Sequence, residues 1–236
     1  MSKGKLLLIP VTLGKSKNSS VLPDGVIDCA RQLTYFIAEN AKSARAFVKS
    51  LPSSIPLQQL HICELNEHTG PEELSGFLTP LLSGTDVGLI SEAGCPAVAD
   101  PGANLVALAH ELGITVVPLV GPSSILLALM ASGLSGQNFS FHGYLPAKTD
   151  QREKKIRELE KNSRLEKRTQ IFIETPYRNR QMLESLTKSC LATTRICIAT
   201  DLTLESEHIV TNTCGEWKKL PVPEIDRRPT VFLLQA

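Results

Sequence analysis

The charged and titratable residues that could do chemistry gather just past apolar runs. Glu39 and Lys42 follow the run Thr34 to Ala38. Glu67 and His68 follow Leu57 to Leu65, Glu92 follows Val87 to Ile90, and Glu174 and Arg178 follow Thr169 to Ile173. Carboxylates and an imidazole at strand ends can orient or deprotonate a weak oxygen nucleophile. Other chemistries lack their parts. There is no G-x-S-x-G, no H-E-x-x-H, no G-x-x-x-x-G-K-[ST] and no G-x-G-x-x-G. The six cysteines form no C-x-x-C pair and have no histidine at zinc-ligand spacing, so no metal is expected and a reduced, cytoplasmic protein fits best. What stands out is VGLISEAGCPAVADPG, residues 87–102, and GPSS, residues 121–124. Loops of small residues and prolines let backbone groups approach an adenine or amino-acid moiety. With apolar walls from Leu13, Val98 and Ile173, they suit a neutral or zwitterionic cofactor better than a triphosphate.

These loops need strands to carry them. Lys5 to Val11 is apolar on both faces, as in the centre of a covered sheet. Asp24 to Leu33 carries a helical apolar face, Thr34 to Ala38 reads as a strand and Ala44 to Leu51 as a short helix. Leu57 to Leu65 is a weak strand and Pro71 to Leu82 a helix. Val87 to Ile90 is a buried strand. Asp100 is expected to cap a helix that has Pro101 in its first turn and Gly113 at its end. Ile114 to Val120 is the next strand. Ile125 to Ser132, apolar almost all round, is expected to be the most buried helix of its domain. Alternating strand and helix predict a parallel α/β domain over residues 1–138.

Residues 139–236 are expected to form a smaller α/β domain. It has strands at Thr169 to Glu174, Arg195 to Thr200, Ile209 to Thr213 and Thr230 to Leu234, and a helix from Arg178 to Ser189. Ala147 to Arg168 holds nine Lys/Arg against five Asp/Glu and reads as a solvated helix face. The net charge of +1 gives no global field for nucleic acid, so such a role needs a local patch. No Asp, Glu, Lys or Arg lies between Leu112 and Ala147. Pro118, Gly121 and Pro122 nonetheless divide that stretch into strand and helix, and no membrane span or signal peptide is expected. Cys95 reads as a small pocket residue rather than a nucleophile, and His61 and His110 as structural or surface histidines.

LISEAGCPAVADPG resembles the S-D-A-G-x-P-x-x-x-D-P-G stretch of the tetrapyrrole methylase superfamily, the class III S-adenosylmethionine-dependent methyltransferases. Its bacterial branch of small-subunit rRNA cytidine ribose 2′-O-methyltransferases is the most similar. IPVTLG, NEHT, VPLVGPSSILLALMASGL, FHGYLPAK and IETPYR resemble further motifs of that branch in the same order. The resemblance implies two α/β domains with S-adenosylmethionine in the cleft between them, a homodimer, and rRNA or the small ribosomal subunit as partner. It implies cofactor contacts at Leu13, Cys95, Val98, Ser123, Ser124, Ile173, Pro229 and Thr230. Glu67, His68 and Glu174 would orient the acceptor, with Glu39, Lys42 and Arg178 on the substrate side.

The chain departs from the branch where A-E-D-T-R becomes Ala38-Glu39-Asn40-Ala41-Lys42, which removes a guanidinium suited to bidentate phosphate contact. The motif aspartate becomes Glu92, the threonine before the motif proline becomes Cys95, and the extension of longer members is missing. A non-catalytic S-adenosylmethionine-binding paralogue, or a methylase of a small molecule such as a tetrapyrrole precursor, therefore stands beside the rRNA methyltransferase.

Overall fold

A computed structural model describes residues 2–53, 55–66 and 68–236. They form two compact units, residues 1–123 and 124–236. The first contains β1 (Lys5–Ile9), α1 (Asn18–Val21), α2 (Asp24–Ala30), β2 (Tyr35–Ala38), α3 (Ala41–Ser50), β3 (His61–Glu64), α4 (Pro71–Phe77), α5 (Thr79–Leu82), β4 (Val87–Ile90), α6 (Gly102–Glu111) and β5 (Thr115–Pro118).

Its five strands run in the order β3-β2-β4-β1-β5, and every pairing is parallel. Connections from β1 and β2 head toward the β3 edge, and those from β3 and β4 toward the β5 edge. With right-handed crossovers the two sets must cover opposite faces, and the cores agree. Leu7, Ile9, Phe36 and Ile90 pack with Val26 and Ala30 of α2 and Val48 of α3. The alternate residues Leu6, Ile37, Val87 and Leu89 pack with Leu81 of α5 and Leu105 and Ala109 of α6. The side-chain period of two thus makes β1 and β4 apolar throughout. Chain paths diverge on either side of β4, which makes its carboxyl end a topological switch point, where open α/β sheets bind ligands.

Two first-unit elements differ from expectation. Residues 57–65 split into a 3-10 turn at Leu57–Gln59 and the short β3, which lies at the sheet edge and pairs only with β2. Residues 71–82 form α4 and α5 rather than one helix, because Pro80 cannot donate the hydrogen bond that would continue α4.

The second unit contains α7 (Ser124–Ser132), β6 (Phe139–Tyr144), α8 (Thr149–Glu166), β7 (Thr169–Ile173), α9 (Asn179–Ser189), β8 (Arg195–Thr200), β9 (His208–Thr213), α10 (Cys214–Trp217) and β10 (Thr230–Gln235). Its mixed sheet has the order β6-β7-β10-β8-β9, with only β6 and β7 parallel. Helices α8, α9 and α10 bury Ile156, Met182, Leu186 and Trp217 against Phe172, Ile198 and Phe232.

Contacts of α7 with β8, β9 and β10 place it in this second unit, so the division falls after residue 123 rather than 138. Nor is α7 enclosed: Leu126 is 51% and Met130 79% exposed, because only the stripe through Ala128, Leu129 and Ser132 meets the sheet. The charge-dense α8 is not simply solvated either, since Arg152, Glu153 and Glu160 are buried. Arg152 Nε donates to Ser185 Oγ (3.0 Å), Lys188 Nζ to Glu153 (2.7 Å) and Leu191 N–H to Glu160 (2.7 Å), which offsets the desolvation of those groups. Among the described residues no helix is long and apolar enough to cross a membrane.

Candidate functional site

Because the first sheet is parallel, the loops after all five strands leave from one edge. Three of them are joined. Val11 N–H, just past β1, donates to Gly94 O beyond β4 (2.9 Å). The Cys95 thiol donates to Pro122 O beyond β5 (3.5 Å). Gly94 sits at φ +72°, and a Cβ there would lie 3.0 Å from Leu13 Cδ2 and 3.1 Å from Pro122 O. A Cβ on Gly121 would lie 2.3 Å from the Pro10 side chain. Leu13, Cys95 and the Pro122-Ser123 turn are thereby brought together, while Val98 stands exposed farther along the same loop. Burial raises the Cys95 pKa, so it is a neutral thiol donor and not a thiolate nucleophile.

The β4 loop also holds Ala97 at φ 64° and Ala99 at φ 60°, left-handed conformations that cost energy for residues with a Cβ. Asp100 holds it there. Its carboxylate accepts from Ala97 N–H (Oδ2, 2.9 Å) and Gly102 N–H (Oδ1, 2.8 Å), so it braces the loop and reaches the first residue of α6 from one position before the cap, which is Pro101. Burial raises the Asp100 pKa against the lowering effect of those two N–H groups. A folded-state pKa above the unfolded one means a contribution fully present below the unfolded value and lost as pH rises through the folded one. The negative charge is therefore a net burden at neutral pH, whereas the acceptor oxygens are useful. Asp100→Asn should leave stability within about 1 kcal/mol of wild type and flatten its decline above pH 4, whereas Asp100→Ala should cost about 1 kcal/mol or more. Urea denaturation from pH 4 to 8 checks both.

Asn40 caps α3, accepting from Lys42 N–H (2.9 Å) and Ser43 N–H (3.1 Å). Asparagine and aspartate serve equally there, so this departure from the resembled motif leaves the helix start intact. Lys42 is exposed on the first turn of α3, and Glu39, half-buried, precedes the cap. His68 N–H donates to Asn66 Oδ1 (2.9 Å) in the turn after β3. Glu67 lies outside the described residues. A cavity of about 1210 Å³ opens beside the β1 and β4 loops and is lined by Leu13, Ser16, Phe47 and Glu92 among others. Ser16 Oγ on its wall is buried without a hydrogen-bond partner among the described residues.

The second unit gathers the other residues at one end of its sheet. Val231 pairs with Ile173, which places Pro229 and Thr230 beside the carboxyl end of β7. Thr230 Oγ1 donates to Arg228 O (3.0 Å) and accepts from Asn179 Nδ2 (3.2 Å), so its hydroxyl braces the fold, while Pro229 is exposed. The Glu174 side chain is 0% exposed. Its Oε1 accepts from Thr175 N–H (2.7 Å) and from Arg178 Nε (3.0 Å) and Nη2 (2.6 Å). That hydrogen bonding raises the Arg178 pKa and fixes its cation. Glu174 Oε2 is buried with no partner among the described residues. Ser124 is the first residue of α7.

Sequence reasoning missed two tyrosines here. Tyr144 ends β6 opposite Ile173, and Tyr177 lies between Glu174 and Arg178. Of the chain's three tyrosines, these two fall inside FHGYLPAK and IETPYR and outside any apolar pattern, which was the available signal.

The fold is that of the tetrapyrrole methyltransferases. A solved structure of the methyltransferase CobJ superposes with TM-score 0.64 at 19% identity, covering 98% of this chain and 94% of that one. One of the cobalt precorrin-4 methyltransferase CbiF does so with TM-score 0.63 at 14% identity and the same coverage of each chain. The chain belongs to the Tetrapyrrole (Corrin/Porphyrin) Methylases, whose family pattern matches residues 40–218. Among curated relatives, Ribosomal RNA small subunit methyltransferase I of Vibrio cholerae is 38% identical over 61% of this chain and 49% of its own length. Its counterpart from Pseudomonas aeruginosa is 35% identical over 79% of this chain and 61% of its own length. The one from Xylella fastidiosa is 35% identical over 86% and 71%. The chain thus spans about half to three fifths of the length of the first two.

Proposed function

We propose that the protein is an S-adenosylmethionine-dependent methyltransferase that methylates a ribose 2′-hydroxyl of small-subunit rRNA. The junction of the β1, β4 and β5 loops carries this reading. It is a neutral, backbone-lined surface at the switch point of a parallel sheet, in a chain whose relatives are named rRNA small subunit methyltransferase I. No lysine or arginine lies in residues 94–98 or 121–124 to oppose a sulfonium cation, and the carbonyls there suit one. S-adenosylmethionine would supply an activated methyl, which the acceptor oxygen takes as the carbon–sulfur bond breaks with its electron pair going to sulfur.

The protein's task is then to hold that oxygen in line, where positioning supplies much of the rate. Leu13, Cys95, Val98 and Ser123 would hold the cofactor. The motif resemblance gives the same role to Ser124, Ile173, Pro229 and Thr230. The cavity shares Leu13 with the loop junction and offers room for the acceptor nucleoside, with Glu92 and Ser16 Oγ as partners for its hydroxyl groups. Glu67, His68 and Glu174 would orient the acceptor or take its proton, and Glu39, Lys42 and Arg178 would meet the rest of the substrate. A cytoplasmic homodimer completes the proposal, and Leu126 and Met130, one helical turn apart, offer an apolar face for the second copy.

The experiment has two parts. Calorimetry should show saturable binding of S-adenosylmethionine, and labelled methyl should enter small ribosomal subunits lacking the modification. Absence of binding at millimolar cofactor would sink the proposal. Binding without transfer to ribosomes would favour the non-catalytic paralogue, for which Asn40-Ala41-Lys42 is the motivating departure. Transfer to a tetrapyrrole precursor instead would identify a small-molecule methylase.

A further inference from the structure

Tyr144 and Tyr177 are 61% and 66% exposed, large aromatic rings left in water at one end of the second sheet. The third tyrosine, Tyr35, behaves differently, since its hydroxyl bonds the Cys63 sulfur within its own sheet. Tyr144 is paired in register with Ile173, and Tyr177 follows four residues on, in the 3-10 turn Pro176–Arg178. The Arg178 guanidinium lies 5.6 Å from the centroid of the Tyr177 ring. Glu174 holds that guanidinium by Nε and Nη2, both bonded to one carboxylate oxygen, so the stack is braced from below by a fully buried group. Nη1 makes no hydrogen bond among the described residues. Arg180 is exposed nearby in sequence, and Arg227 N–H donates to Pro176 O (3.1 Å), which brings a further exposed arginine beside the turn.

We propose that Tyr144, Tyr177 and Arg178 form a stacking platform for unpaired bases of the RNA acceptor, so that this end of the second unit binds single-stranded rather than duplex RNA. The inference rests on the RNA methyltransferase reading. Its physics is separate. A flat ring at the surface can stack on a base only if the base's face is open, and paired bases in a duplex interior have no open face. The guanidinium adds a cation to the stack and an N–H for phosphate. With a net charge of only +1, long-range attraction is small, so local stacking must carry much of the affinity.

The test compares a fluorescent single-stranded oligonucleotide with the same sequence closed into a hairpin, using the full chain saturated with S-adenosylmethionine. The single strand should bind more tightly. Tyr144→Ala and Tyr177→Ala should each weaken it roughly 5- to 150-fold, the usual range for one base–aromatic stack. Neither should change the salt dependence, because neither removes a charge. Tyr→Phe at either position should retain binding, since the ring and not the hydroxyl is used. Cofactor binding should be unaltered in all four variants. Wild-type affinity in both alanine variants, or equal affinity for the hairpin, would overturn the platform. Cofactor binding and ribosome methylation without any oligonucleotide preference would overturn it while leaving the methyltransferase reading intact. Failure of the wild type to bind cofactor would instead defeat that reading.

Discussion

Gly94→Ala should weaken S-adenosylmethionine binding by at least about tenfold and lower stability by about 1–2 kcal/mol. The first part of the cost is conformational, since φ is +72° and a residue with a Cβ pays for that backbone. The second is steric. The new methyl would stand 3.0 Å from Leu13 Cδ2 and 3.1 Å from Pro122 O, so the β5 loop must give by a few tenths of an ångström. The Leu13 methyl ends a side chain that can turn aside, so the backbone contact to Pro122 O carries most of the steric cost. A loss of 1.4 kcal/mol in fit is a factor of ten in affinity. Gly133→Ala separates the two effects. Gly133 also has a positive φ, +66°, but nothing lies within 4 Å of its added Cβ. It should lower stability similarly and leave the cofactor dissociation constant, read by calorimetry, unchanged. Equal binding by Gly94→Ala and wild type would mean that the three-loop junction is not the cofactor wall.

Glu174→Ala should be the more damaging to stability, by roughly 3 kcal/mol. Removing one partner of a buried pair leaves the other charge uncompensated, at about 3–5 kcal/mol when both are enclosed. Arg178 keeps partial access to water, which places the cost at the lower end. Glu174→Gln is the informative companion. It keeps the shape and an acceptor for Thr175 N–H and Arg178, so most of the fold should survive. It also converts one oxygen into a donor, and Oε2 is the oxygen left buried without a partner among the described residues. If that oxygen accepts from the acceptor substrate, Glu174→Gln should reduce kcat/KM for methyl transfer by roughly 10- to 150-fold, the worth of one hydrogen bond to a charged group. Cofactor affinity should hold. Unchanged kcat/KM in a stable Glu174→Gln protein would confine Glu174 to bracing Arg178.

What could be read from the chain divides along physical lines. β1 and β4 were legible because strands buried on both faces show continuous apolar runs, and the loops between Gly94 and Gly102 because Gly and Pro mark breaks. Asp100 was placed one residue from the cap position, since sequence shows that a carboxylate stands near a helix start but not that it reaches back to Ala97. The sequence makes Ile125 to Ser132 the most enclosed helix of its domain because hydropathy reports what a face prefers, not whether the chain supplies a cover for it. α8 was read as solvated because the partners of Arg152 and Glu160, Ser185 and Leu191, lie some thirty residues on. Glu174 was legible as a strand-end acid. Its clamp on Arg178 spans four residues and depends on the turn Pro176–Arg178, and the juxtaposition of Tyr144 with Ile173 depends on how β6 and β7 pair, which no local pattern states.

The place of β10 in the second sheet bears on how that unit is made. β10 is the middle strand, with β6 and β7 on one side and β8 and β9 on the other. Until residues 230–235 insert, the unit consists of two separate two-stranded ribbons, each marginal by itself in water. The pairings that join them, Leu234 with Gln170 and Thr230 with Thr200, close loops of tens of residues. Ordering must therefore wait for a long-range, entropically costly event, after which the whole sheet forms together. The second unit has no stable half, and the buried Glu174 and its arginine take their places only when that central strand does.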